Sequence, residues 1–143
     1  MAGESGTPEG AEYRVDGLAV PETLGELHAL LERVRREHPD VASEDLELFE
    51  TAVIEIAGNV VEHGRPEGKV LYAFTLRVLD DRLTATLEDS GQEEVTATEA
   101  EMPSVWAEEG RGLALAGAVL DELDVERRDG WNHWELTRNR RQA

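Results

Sequence analysis

The sequence predicts a two-layer α/β sandwich, with a mixed, mostly antiparallel sheet and its helices on one face. Three observations carry that expectation. Apolar residues at three- and four-residue steps mark two successive helices in the first half of the chain. Alternating runs after Lys69 and after Asp124 mark two hairpins. A single further stretch of helical spacing, Leu113 to Leu123, lies between the hairpins. Strands adjacent in sequence pair with each other, and so few helices cover only one face of a sheet, which excludes a doubly wound parallel fold.

Residues 1–10 carry three Gly, one Pro and two Glu, and are expected to form a disordered tail. Tyr13 and Val15 alternate with polar neighbours, giving a short strand before Pro21. Leu24, Leu27, Leu31 and Val34 place an amphipathic helix over 22–37, ended by Pro39. Ser43 is the expected N-cap of a second helix over 44–63, with Glu44 and Asp45 in its first turn, where the helix dipole favours anions. Leu46, Phe49, Val53, Ile56 and Val60 form its apolar stripe. Val70 to Val78 is rich in β-branched and aromatic residues, and Leu83, Ala85 and Leu87 alternate with Thr84, Thr86 and Glu88, so these two runs pair around Asp80-Asp81. Residues 90–111 have no clear period and read as a long loop. Val125 to Arg128, Asp129-Gly130 and Trp131 to Thr137 form the last hairpin, because Asp-Gly supplies the positive φ values of a tight turn. The domain therefore spans 11–137, and Arg138, Arg140 and Arg141 fall in a basic, solvated tail over 138–143.

The formal net charge is −18, from 14 basic and 32 acidic residues among 143. Such a surface repels a phosphate backbone, so nucleic acid is not an expected partner. An apolar content of 40% is too high for a disordered acidic chain. The absence of cysteine removes thiol chemistry and zinc–thiolate sites. No apolar run approaches the roughly 20 residues needed to span a bilayer, and Met1-Ala2-Gly3-Glu4 lacks the basic and apolar parts of a secretory signal. The expected setting is cytoplasmic, away from a membrane.

Three short constellations carry candidate chemistry. Glu55 and Asn59 are four residues apart and share one helix face beside the apolar stripe. The amide oxygen is a hard ligand suited to Mg²⁺, and the carboxylate can accept a proton from a nucleophile, although a solvated helix face would carry the same pair. Asp89-Ser90-Gly91 ends a strand: the Asp can accept from an exocyclic amine and the Gly can let a flat ligand approach, although turns use the same residues. Glu109-Gly110-Arg111-Gly112 opens a helix, where backbone N–H groups and the dipole attract phosphate and Arg111 adds charge; an ordinary flexible helix start is the alternative. From Leu83 to Gly110 there are eight acids and no base, so Arg111 is the local counter-charge. The run Gly64 to Val70 imitates a phosphate loop but is one residue short, has Val70 where a hydroxyl belongs and follows a helix instead of a strand. His28, His38, His63 and His133 lack metal-ligand spacing, and no Gly-x-Ser-x-Gly elbow supports a hydrolase.

The ordered set Glu55-x-x-x-Asn59, Asp89-x-Gly91 and Gly110-Arg111-Gly112 resembles the Bergerat-fold ATPases of the gyrase, heat-shock chaperone and histidine kinase superfamily. The run Glu55-Ile-Ala-Gly-Asn59-Val-Val-Glu-His63-Gly64 with Gly110-Arg111-Gly112-Leu113-Ala114-Leu115 looks most like the anti-sigma-factor serine/threonine kinases of bacterial partner-switching systems. The resemblance covers about residues 11–137. It implies a Mg-ATP site in which Asn59 holds Mg²⁺, Glu55 is the general base, Asp89 accepts from the adenine amine and Gly91 lets the base pack close. It also implies that Gly110 and Gly112 present N–H groups to the phosphates with Arg111 nearby, and that His63 lines the site. The partners it implies are a sigma factor, which is sequestered, and an anti-anti-sigma protein, which is phosphorylated on serine; homodimers are usual in that family.

Three departures stand out. Glu93 replaces the second glycine of the usual Asp-x-Gly-x-Gly box. Glu108 and Glu109 make the lid acidic. The late Gly-Thr element is absent, and Gly130-Trp131-Asn132-His133-Trp134 occupies its region. They keep a second expectation open: a non-catalytic sigma-factor or regulator binding module of the same fold, with weak or no nucleotide turnover.

Overall fold

The computed structural model of the chain describes residues 10–64, 70–91 and 107–141, with the side chains of 63–64 and 107–112 outside the description. Residues 1–9 of the expected tail over 1–10, residues 65–69 of the false phosphate loop over 64–70, and Glu93 also lie outside the described residues. The elements are β1 (Ala11–Leu18), α1 (Pro21–Glu37), α2 (Ser43–Gly64), β2 (Leu71–Val78), β3 (Arg82–Asp89), α3 (Ala107–Val119), β4 (Glu122–Arg128) and β5 (Trp131–Asn139). The five strands form one sheet in the order β1-β2-β3-β5-β4. Every neighbouring pair is antiparallel, so the sheet is purely antiparallel.

One face of β2, β3 and β5 is buried and that of β1 and β4 is partly covered, and the registers stack those faces into rows across the sheet. Val15, Phe74, Leu87, Trp134 and Val125 form one row, and Tyr13, Leu76, Ala85, Leu136 and Leu123 form the next. Leu27, Leu31 and Val34 of α1 and Phe49, Val53 and Ile56 of α2 pack in the same buried cluster, which makes the two layers. The chain enters α1 through Pro21, whose fixed φ suits the first helical turn. There the Thr23 hydroxyl accepts from Val20 N–H at 3.1 Å and donates to the Leu18 carbonyl at 2.9 Å, joining strand end to helix start.

Three boundaries differ from the sequence reading. Ser43 is the first helical residue of α2 and not its N-cap, since Leu46 N–H already bonds the Ala42 carbonyl. The helix expected over Leu113 to Leu123 begins at Ala107 and ends at Val119, so the last part of the expected loop, 107–111, is helical. Beyond Val119, Asp121 N–H donates to the Thr137 carbonyl and the chain has joined the sheet. Leu123 fits either period, which is why helical spacing overran the end. The third difference is at the C-terminus. β5 runs to Asn139, and Arg138 is 4% exposed, with Nε 2.9 Å from Oδ1 of the fully buried Asp45. Arg140 binds Asp40, and the Arg141 backbone N–H donates to Asp45 Oδ2, so Arg138 and Arg140 are packed against the domain and only the Arg141 side chain is exposed. The Asp129-Gly130 turn is as expected, with φ of 55° and 83°.

Candidate functional site

Asp89 ends β3, the central strand, with its side chain on the covered face. Its register places it in a row with Gly17, Tyr72, Asn132 and Arg127 at one end of the sheet. Asp89 Oδ1 accepts from Gly91 N–H at 2.9 Å and from Asn132 Nδ2 at 3.1 Å. Asp89 Oδ2 accepts from the Trp134 indole N–H at 3.0 Å. Arg127 Nη1 donates to the Gly91 carbonyl at 2.8 Å and to Asn132 Oδ1 at 3.2 Å. Asp89, Asn132 and Trp134 are all buried. Gly91 is confined by this arrangement: a Cβ there would sit 2.8 Å from Asp89 Oδ1. At the other side of the row, Tyr72 donates its hydroxyl proton to Glu26 at 3.1 Å, and burial, reinforced by that carboxylate, pushes its pKa up to about 12.

Glu55 and Asn59 stand one turn apart on α2. Glu55 is half-buried, and its carboxylate has no hydrogen bond or ion pair with another described residue. It lines an open groove of about 360 Å³ between α1 and α2 with His28, Glu47, Glu50, Thr51 and Ile54. Asn59 is 5% exposed, and its buried Nδ2 has no hydrogen-bond partner among the described residues. An unpaired buried amide costs about 1–3 kcal/mol, so it calls for a ligand atom or water. Among the described residues no three His, Asp or Glu side chains converge on a metal position. A divalent cation held by the Asn59 oxygen would have to take its other ligands from outside these side chains.

Gly110, Arg111 and Gly112 occupy positions four to six of α3 instead of a loop before it. Backbone N–H groups from about the fourth position onward close the helix's own bonds, so the unpaired donors belong to the turn before Gly110. Their side chains and that of His63 lie outside the described residues. Of the expected site residues, then, Asp89 and Gly91 touch, and Glu55 and Asn59 share a helix face. Asn132, Trp134 and Arg127 were missed, yet the signal was present. Counting outward from the Asp129-Gly130 turn pairs Arg127 with Asn132, and alternation with Leu136 puts Asn132 and Trp134 on the core face.

The model of the histidine kinase-like ATPase domain family matches residues 18–138, most of the chain. The chain belongs to that family. Among solved structures, this histidine kinase-like ATPase domain is similar to the RsbU and RsbW domains of Rv1364c from Mycobacterium tuberculosis, with a TM-score of 0.67, 22% identity and 93% of the chain covered. It spans 34% of the length of that protein chain. It is also similar to the catalytic domain of histidine kinase ThkA, with a TM-score of 0.54, 14% identity, 89% of this chain and 95% of that one covered. No curated protein matches it. No helix among the described residues is long and apolar enough to cross a membrane.

Proposed function

We propose that this ATPase domain is an ATP-binding anti-sigma regulatory factor that phosphorylates a serine or threonine of an anti-anti-sigma protein and sequesters a sigma factor. The observation that carries the reading is Asn59: a buried amide whose Nδ2 has no hydrogen-bond partner among the described residues, one turn from a half-buried carboxylate that also has none there. Bound Mg-ATP would supply the transferable phosphoryl group and the cation that neutralises it. Asn59 holds the cation through its amide oxygen. Glu55 accepts the proton of the attacking hydroxyl. Asp89 accepts from the adenine amine, and Gly91 keeps that edge open. The N-terminal turns of α3, with Gly110, Arg111 and Gly112, bring the positive end of a helix dipole to the phosphates, and His63 follows Asn59 at the end of α2. The partner-switching setting rests on the motif resemblance and agrees with the fold shared with the RsbW-containing structure.

The test is transfer of the labelled γ-phosphate from Mg-ATP to the cognate anti-anti-sigma protein. Wild type transfers label, and Glu55→Ala slows the chemical step by about 10²–10⁴-fold. No transfer by wild type, or undiminished transfer by the variant, refutes the kinase reading. One observation favours a non-catalytic binding module instead: Asp89 already accepts three hydrogen bonds from its own chain. Calorimetry separates the two, since absence of heat at high Mg-ATP favours the module.

A further inference from the structure

We infer that Trp134, Asn132 and Arg127 are positioning residues that aim one open acceptor site of Asp89 at the base of the nucleotide and so select an amine over a carbonyl at that edge. This inference rests on the nucleotide-binding reading above. A carboxylate offers about four acceptor positions. Asp89 Oδ1 has two filled, by Gly91 N–H and Asn132 Nδ2. Asp89 Oδ2 has one filled, by the Trp134 indole, which leaves one position among the described residues.

The clamp has no freedom to invert. Arg127 has only donors, so it fixes the Asn132 amide with Oδ1 toward itself and Nδ2 toward Asp89. Trp134 is a donor only, and a buried indole N–H needs an acceptor. Its row otherwise holds Val15, Phe74, Leu87 and Val125, so an apolar residue would suit the packing alone. Two donors from β5 and one from the chain after β3 thus hold the carboxylate in a single rotation. In that rotation the remaining position accepts from an amine, whereas a carbonyl oxygen there would meet a carboxylate oxygen with no proton between them.

The experiment compares Mg-ATP with Mg-ITP, which keeps the ribose and triphosphate and replaces the 6-amine by a carbonyl. Calorimetric titration of the full chain gives both affinities for wild type, Trp134→Phe and Arg127→Met. Arg127 is half-buried on the edge strand and its methionine keeps the aliphatic stem, so this variant tests the clamp if the tryptophan change impairs folding. Wild type is expected to favour ATP by about 10-fold or more, the worth of a hydrogen bond to a charged group. In each variant the ratio falls to within about 2-fold, because the released carboxylate can turn to accept the N1–H of inosine instead. A purely structural role would weaken both nucleotides alike and leave the ratio at its wild-type value, which overturns the inference. Wild type that binds both equally also overturns it, with the nucleotide reading intact. Wild type that binds neither overturns the reading and the inference together.

Discussion

Gly91 shows how tightly a single position is held. The sequence offers a general reason for glycine beside a strand end, the close approach of a flat ligand. The geometry adds a narrower one, because a methyl group would stand 2.8 Å from Asp89 Oδ1, an atom also bound by Asn132. That contact forces the carboxylate to turn. Gly91→Ala is therefore expected to weaken Mg-ATP binding by about 10-fold, the scale of one misdirected charge-assisted hydrogen bond. Isothermal titration reads the affinity, and a thermal melt run beside it should move by only a few degrees. Asp89 and Gly91 were legible because only Ser90 separates them in sequence. Their supports were harder to see, since Asn132 lies 43 residues from Asp89 and only strand register joins them.

At the scale of elements, the buried Asp45–Arg138 pair ties three of them together. Asp45 is in the first turn of α2, Arg138 is near the end of β5, and Arg138 Nη1 also donates to the carbonyl of Val119, the last residue of α3, at 2.7 Å. Arg138 thus satisfies a terminal carbonyl and places a cation at the negative end of that helix. Asp45→Ala strands the arginine charge in the core and is expected to cost about 3–5 kcal/mol by urea denaturation, whereas replacing both partners by apolar residues of similar volume should recover most of it. The sequence concealed this pair for a simple reason. Three arginines near a chain end look like a solvated charge run, and only the parity of Arg138 with Asn132, Trp134 and Leu136 marks it as core-facing. The strand pairs and the two long helices were legible because their periods are long and bounded by Pro39, Asp80-Asp81 and Asp129-Gly130. The start of α3 was not, because Ala107 to Gly112 carries no apolar stripe.

For the whole molecule, the two layers are joined by phenol–carboxylate contacts as well as by apolar packing. Tyr13 of β1 donates to Glu37 of α1 at 2.6 Å, and Tyr72 of β2 donates to Glu26 of the same helix. Burial, then the neighbouring carboxylate, pushes each phenol from 10 up to about 12. The unfolded chain therefore loses these protons first. Their contribution is complete below pH 10 and is lost as pH rises through about 12. Urea midpoints at pH 9 and pH 11.5 should show this fall, and Tyr13→Phe combined with Tyr72→Phe should flatten it. The overall charge of −18 also sharpens the expectation for nucleotide: binding should depend on magnesium, since the free tetra-anion would meet a net negative surface.

The polar row at the end of the sheet has one more consequence. Gly17, Tyr72, Asp89, Asn132 and Arg127 lie side by side although Gly17 and Asn132 are 115 positions apart in the chain. If this row recognises the ligand as proposed, recognition is assembled across the strands by register and not along any one of them. Largely apolar rows separate it from the Arg138 row at the far end of the sheet. On the proposed reading, ligand preference can drift, in evolution or by design, through exchanges in this line and at Trp134 of the next, while the rows beyond keep the scaffold.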